Sequence, residues 1–216
     1  MSGEFSAILC GVGGQGLVLL SNVIGNACAS TGLRIITGEQ HGLSQRHGSV
    51  SIHVRIGPDV RSPLIPVGSG DAIISLEAIE TLRYFEYLKE GGVVLMNSMV
   101  VHPVTDSKAV VERKGKAAMY FDRGSVEAGF RQITQNVLSI DASEIANRAG
   151  NALTENIVLL GALSVLQEFP VQTDALRQSI EKMVPPKAKE ANLKAFDLGA
   201  EASHRRFCGA LPCKGE

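Results

Sequence analysis

The chain has 216 residues, 44% of them hydrophobic, with 21 lysines and arginines against 22 aspartates and glutamates and a formal net charge of −1. That length suits one large α/β domain, or one domain with a helical extension, and the apolar fraction is normal for a globular core. The balanced charge leaves no electrostatic footprint for nucleic acid or an anionic membrane, and no apolar run reaches the roughly 20 residues of a membrane span.

Met1-Ser2-Gly3-Glu4-Phe5 carries no basic n-region, so no secretory signal is read there and the expected compartment is the cytoplasm. Ser6 to Gly11 reads as a buried strand running into glycines. From Gln15 to Thr31 the residues Leu17, Leu20, Ile24, Ala27 and Cys28 recur at helical spacing, and Gly32 ends the helix. Leu33 to Glu39 is a second strand and Gln40 to Gly48 a polar loop. Ser49 to Ile56 alternates strictly, with Val50, Ile52, Val54 and Ile56 on an apolar face. Ser49, Ser51, His53 and Arg55 lie on the other face, which is read as solvated. Gly57-Pro58-Asp59 makes a turn.

Ala72 to Leu76 is the next apolar strand. A helix from Ala78 to Lys89 follows, with Ile79, Leu82, Phe85 and Leu88 as its core face and Gly91-Gly92 as its end. Val93 to Asn97 is a strand. Residues 99–118 are expected to hold a short edge strand and a loop. Val137 to Asp141 is a further strand and Ala142 to Ala149 a helix. The last third is helical: Asn156 to Glu168, Asp174 to Met183, and Lys187 to about Arg205, with Pro185-Pro186 between the last two. Residues 206–216 are expected to form a loose tail.

The four cysteines are Cys10, Cys28, Cys208 and Cys213. The first two fall on apolar patterns and read as buried small hydrophobes. The last two form a C-x4-C in the tail, near His204. The close Cys-x2-Cys pairs of zinc or iron–sulfur ligation are missing, so no metal site is expected.

Gly11-Val12-Gly13-Gly14-Gln15-Gly16 satisfies G-x-G-x-x-G between a strand and a helix. Glycines let a ligand approach the backbone, and a helix start offers free N–H groups to a phosphate. Glu39 sits where a ribose-binding acid is expected, so an NAD(P)-binding Rossmann oxidoreductase is the obvious rival reading. Against it, a parallel crossover needs a dozen or more residues, and only residues 40–48 separate Glu39 from Ser49. The strand from Ser49 is therefore expected to run antiparallel to its predecessor. A tight turn with no ligand would need fewer glycines. A fourth glycine beside Gln15 points to something close to the backbone, and a ligand phosphate and a partner chain both stay open.

The segment Glu39-Gln40-His41-Gly42-Leu43-Ser44-Gln45-Arg46-His47-Gly48-Ser49-Val50 is longer than a hairpin needs, which favours function over a plain connection. Together with the glycine loop it closely resembles the gamma-type domain of pyruvate and other 2-oxoacid ferredoxin oxidoreductases, and within that group the indolepyruvate type. Supporting segments are Ser75-Leu76-Glu77-Ala78 with Leu82-Arg83-Tyr84, Asn156 with Leu160-Gly161-Ala162, and Asn192 with Ala195-Phe196-x-x-Gly199. The resemblance spans about residues 6–200. His47 departs from the family pattern, in which glycine is usual.

The resemblance implies one gamma-type domain over residues 1–205. Its expected fold is a three-layer α/β domain with a mixed, mostly parallel sheet and a helical C-terminal third. It implies a subunit, inactive alone, that supports coenzyme A-dependent oxidative decarboxylation of an arylpyruvate, while thiamine diphosphate and iron–sulfur clusters reside on a larger partner that reduces ferredoxin. A dimer of such heterodimers is a further expectation, and no cofactor is expected to bind this chain tightly. The sequence agrees from its own side, since it lacks both ferredoxin-like cysteine spacing and the Gly-Asp-Gly start of a thiamine diphosphate motif. The residues expected at a coenzyme A contact or at the partner's active-site edge are Gly13, Gly14, Gln15, Gly16, Gln45 and Arg46. Arg46 is suited to bidentate contact with phosphate or carboxylate. Glu39 and His41 are expected to brace the loop. Pyruvate, 2-oxoglutarate and 2-oxoisovalerate remain alternative substrates of such a complex, and a non-enzymatic scaffold of the same fold is a third reading.

Overall fold

The computed structural model describes residues 3–42, 48–100 and 123–214. β1 (Phe5–Val12) is buried along its whole length, as expected of a central strand. α1 (Leu17–Ser30) follows and buries Leu17, Leu20, Val23, Ile24, Ala27 and Cys28. β2 (Ile35–His41) and β3 (Ser49–Ile56) come next, then β4 (Gly70–Ser75) and the short α2 (Ala78–Arg83). β5 (Leu88–Asn97) precedes α3 (Arg123–Phe130) and β6 (Val137–Ile140). Four helices close the fold: α4 (Ala142–Ala149), α5 (Glu155–Ser164), α6 (Thr173–Met183) and α7 (Lys189–Phe207).

The sheet order is β2-β3-β1-β4-β5-β6. β1, β4, β5 and β6 pair in parallel, whereas β3 runs antiparallel to both β1 and β2. The sheet is therefore mixed and mostly parallel, with helices on both faces. One face packs under α1, α4, α5, α6 and α7 through residues such as Leu9, Ile52, Ile74 and Leu95. The other, around Ile8, Cys10, Ile73, Val94 and Met96, is covered by α2, α3 and Ile65. No helix among the described residues is long and apolar enough to cross a membrane.

The antiparallel β3 separates β1 from β2, which a Rossmann half does not allow. Glu39 on β2 thus lies two strand spacings, about 9.6 Å, from β1 rather than beside the glycine loop. α4 shows how local sequence sets an element. The Asp141 side chain accepts from the Glu144 N–H at its start, and Gly150 closes its end at φ 101°. Where α5 crosses α7, a methyl group on Gly161 would strike the Phe196 carbonyl, and one on Gly199 the Val158 carbonyl. Only glycines permit that approach.

Five expectations need correction. The helix expected over Ala78–Lys89 stops at Arg83, because Leu88 is already paired with Gly70 as the first residue of β5. Phe85, expected in the core, is 51% exposed. Gly91-Gly92 does not end a helix. It sits inside β5 where the register against β4 shifts, the usual place of glycine at a sheet irregularity.

The polar face of β3 is not solvated, since Ser51 and His53 are fully buried. The segment after Gly57 folds under it: the Ile65 N–H donates to His53 Nδ1 at 3.2 Å, and Arg55 donates to the Ser62 and Leu64 carbonyls. As far as Lys214 the tail is not loose either. Cys208 and Cys213 form a disulfide, Cys213 is buried, and the Lys214 N–H donates to the Val165 carbonyl at 2.9 Å. The edge strand expected in 99–118 falls on residues 101–118, outside the described residues, and on 99–100, which have no regular structure.

Candidate functional site

The chain changes direction at β1. From there α1 leads to β2 on one side of the sheet, while β4 and α2 lie on the other. In open α/β sheets such a switch leaves a crevice beyond the carboxyl ends of the central strands. Here it is flanked by the glycine loop after β1, the Ser75-Leu76-Glu77 turn after β4, and the ends of β2 and β3. A cavity of about 540 Å³ opens at this place, lined by Val12, Gly13, Gly14, Gln15, Gly16, Leu17, Val18, His41, Gly42 and Val50.

The glycine loop is braced from inside. Gln15 folds its side chain back: Oε1 accepts from the Val12 N–H at 2.7 Å and Nε2 donates to the Leu76 carbonyl at 3.0 Å. This ties the end of β1 to the end of β4. The Gln15 backbone N–H donates to the Val12 carbonyl at 3.2 Å, and the Gly13 N–H to the Gly48 carbonyl at 2.9 Å. Two of the four amides expected to face a ligand are therefore already engaged. Gly14 adopts φ 100° with open space beside its Cα, and its N–H has no acceptor among the described residues.

Gly16 is the N-cap of α1 at φ 80°, and no side chain caps that end. Its carbonyl accepts from Asn156 Nδ2 at 3.0 Å. Asn156 is buried at the start of α5, so the helical last third reaches the loop through one amide. The sequence marks Asn156 only by resemblance. A buried asparagine beside a helix start is the physical signal.

On the neighbouring rim, Glu39 and His41 hold one another, with Oε2 and Nε2 3.2 Å apart. The pair lies within β2, and the expected pairing of Glu39 with Arg46 falls outside the described residues, as do Gln45 and Arg46 themselves.

A polar cluster that periodicity does not reveal lies behind the loop. Ser49 Oγ donates to Glu80 Oε2 at 2.5 Å and lies 3.1 Å from the Tyr84 hydroxyl. Glu80 also accepts from Arg83 Nε at 2.9 Å. The Glu77 side chain accepts from the Glu80 N–H at 2.7 Å and so caps α2. Both carboxylates are buried, a placement acids take only when paired or hydrogen-bonded. Cys10 lies beneath them. Burial pushes its thiol up to about 12, a hydrogen bond with Ser75 opposes the rise, and the Glu80 and Glu77 charges add to it. The chain Glu80, Ser49, Gly48, Gly13 links the acidic cluster to the glycine loop by hydrogen bonds and one peptide step.

With this geometry in place, comparison with known proteins assigns the class. Residues 6–202 match the family model described as pyruvate ferredoxin/flavodoxin oxidoreductase, and the chain belongs to that family. The chain is similar to indolepyruvate oxidoreductase subunit IorB of Pyrococcus horikoshii, at 40% identity over 93% of this chain and 96% of the relative. Similarity to the 2-oxoglutarate synthase subunit KorC of Methanothermobacter thermautotrophicus is lower, at 27% over 89% and 92%. Among solved structures, the gamma subunit of a keto/oxoacid ferredoxin oxidoreductase from Geobacter sulfurreducens superposes with a TM-score of 0.65. It is 25% identical and is covered over 99% of its length by 93% of this chain.

Proposed function

We propose that this chain is the small subunit of an indolepyruvate:ferredoxin oxidoreductase, acting in the cytoplasm with a larger subunit that carries thiamine diphosphate and iron–sulfur clusters. The complex converts an arylpyruvate and coenzyme A to an aryl-acetyl-CoA and carbon dioxide, passing the electrons to ferredoxin. The observation that carries this reading is the identity to IorB along nearly the whole of both chains. Relatives named for other 2-oxoacids share fewer residues.

The chain's own chemistry supports this division of labour. Of its four cysteines, Cys208 and Cys213 are joined to each other, and Cys10 and Cys28 are buried in the two core layers. A four-thiolate cluster site cannot be assembled from them without breaking the fold. What the chain offers is a shaped surface. The crevice presents the Gly14 and Gly16 backbone, the uncapped start of α1 and an aliphatic wall of Val12, Leu17 and Val50. In sequence, Gln45 and Arg46 fall between Gly42, which lines the crevice, and Gly48, which accepts from Gly13. In this reading the surface meets coenzyme A or the edge of the partner's active centre. Gly13 and Gln15 serve by shaping the loop rather than by donating to the ligand.

The test is coexpression with the large-subunit gene, purification of the complex, and assay of coenzyme A-dependent dye or ferredoxin reduction with indolepyruvate, phenylpyruvate and pyruvate. Arylpyruvates are expected to be the better substrates. Preference for pyruvate or 2-oxoglutarate would reassign the complex within the family. Arg46→Ala and Gly14→Ala are expected to raise the KM for coenzyme A or lower turnover, and unchanged constants in both would remove these residues from the site.

A further inference from the structure

A second cavity, of about 310 Å³, lies between the end of α5, the start of α6, α7 and the C-terminal hook. Its lining includes Thr173, Glu201, His204, Arg205 and Lys214. Lys214 is held there by the covalent geometry of the hook. The Cys208–Cys213 disulfide closes a loop at the end of α7. Cys213 then pairs with Leu166, and the Lys214 N–H is fixed to the Val165 carbonyl at 2.9 Å.

The side chain is left in an unusual setting for a lysine. Its Nζ donates to the Val171 carbonyl at 2.6 Å and sits 5.1 Å from the centre of the Phe169 ring. Phe169 and Val171 are themselves fully buried. The charged groups lining the cavity are Glu201, Arg205 and His204, and Glu201 is engaged by Arg205 at 3.4 Å. No carboxylate among the described residues pairs with Lys214. Burial lowers its pKa to about 8. An amine in that state has a large free-base fraction near neutrality, and the cavity gives a reagent a route to it.

We propose that Lys214 is a site of covalent N-acylation by acyl thioesters. The class of electrophile rests on the function proposed above, whose product is an acyl thioester formed within the same complex. In the step, the neutral Nζ attacks the thioester carbonyl carbon and the tetrahedral adduct collapses with cleavage of the C–S bond. The thiolate leaves and takes up the proton that the nitrogen releases. One amide and one free thiol result, with no change of oxidation state. The acylated side chain keeps no positive charge and loses its cation contact with Phe169.

The full chain is incubated with phenylacetyl-CoA at pH 7.5, and peptide mass spectrometry follows the acylation rate at each lysine. Lys214 is expected to react about tenfold faster than the exposed Lys182 and Lys187: a pKa of about 8 gives it roughly two hundred times the free-base fraction of an ordinary lysine at pH 7.5, and the lower nucleophilicity of a weaker base takes back about an order of magnitude. The Lys214→Arg chain is expected to lose this fast phase. In a Cys208→Ser/Cys213→Ser chain the hook opens, and Lys214 is expected to fall to the rate of the exposed lysines. Equal rates at Lys214 and the exposed lysines in the intact chain would overturn the proposal, as would a preference that survives loss of the disulfide. Because the thioester is supplied ready-made, failure here leaves the subunit assignment standing. Failure of the assembled complex to oxidise any 2-oxoacid would count against that assignment instead.

Discussion

The Asn156 amide and the Gly16 carbonyl join two parts of the chain 140 residues apart, at 3.0 Å, and a methyl group on Gly16 would come within 2.6 Å of Asn156 Nδ2. The start of α5 therefore sets the height of the glycine loop over the sheet. The loop is a shaped piece of backbone before it is a binding site.

Gly16→Ala is expected to destabilise the chain by about 2–3 kcal/mol, combining the penalty of a side chain at φ 80° with the collision against Asn156. Asn156→Ala should cost about 1–2 kcal/mol through the lost hydrogen bond. In the double variant the collision is gone, so the two losses should sum to less than their parts. Urea denaturation of the four chains measures this coupling. Strict additivity would mean the contact is not made.

Ser49 is bonded to a buried carboxylate and to a phenol, and the two bonds differ in strength. Ser49→Ala, which removes the charge-assisted bond to Glu80, should cost about 1.5–3 kcal/mol, whereas Tyr84→Phe should cost about 0.5–1.5 kcal/mol. Equilibrium unfolding of the two variants gives the order. Tyr84→Phe as the more damaging change would contradict the geometry.

Much of this architecture is legible in sequence because it is driven by burial. The strict alternation of β3 and the short span between Glu39 and Ser49 give its antiparallel placement. The spacing of Leu17, Leu20, Ile24 and Cys28 gives α1. The failures occur where tertiary contacts override local pattern. Leu82 and Phe85 share a helical period with Leu88, but Leu88 is taken by the strand beside Gly70. Ser51 and His53 alternate as a polar face, yet residues after Gly57 cover them, which no period-2 pattern encodes. At the site, the glycine motif announces a tight turn, but not that Gln15 folds inward or that Gly13 donates to Gly48. The Ser49–Glu80 bond joins residues 31 apart and has no sequence signature.

His53 makes stability depend on pH. Nδ1 accepts from the Ile65 N–H, so the proton of the neutral ring sits on Nε2, and burial holds the pKa below the ordinary 6.5. The folded ring resists protonation that the unfolded ring accepts. This contribution is therefore present above pH about 6.5 and lost as pH falls below it towards the folded pKa. Thermal melts of the wild-type chain and of His53→Gln between pH 7.5 and 5 check it. The wild type should lose stability more steeply on acidification, and parallel slopes would show that the ring is not buried neutral.

The cysteines should divide cleanly by reactivity. Burial pushes Cys10 to about 12 and Cys28 to about 11, and thiolate is the reactive form. The native, unreduced chain should show no fast thiol in a chromogenic disulfide assay at pH 8. Two thiols should appear on denaturation and four after reduction as well. A rapidly titrating thiol in the native chain would contradict the placement of Cys10 or Cys28.

The most direct measurement is an omission and add-back assay. The large subunit is purified alone and titrated with this chain, while indolepyruvate- and coenzyme A-dependent ferredoxin reduction is followed. The expected result is negligible turnover from either subunit by itself and a rise that saturates at a fixed stoichiometry. Full turnover by the large subunit alone, or any turnover by this chain alone, would contradict the claim that this fold completes an active centre held elsewhere.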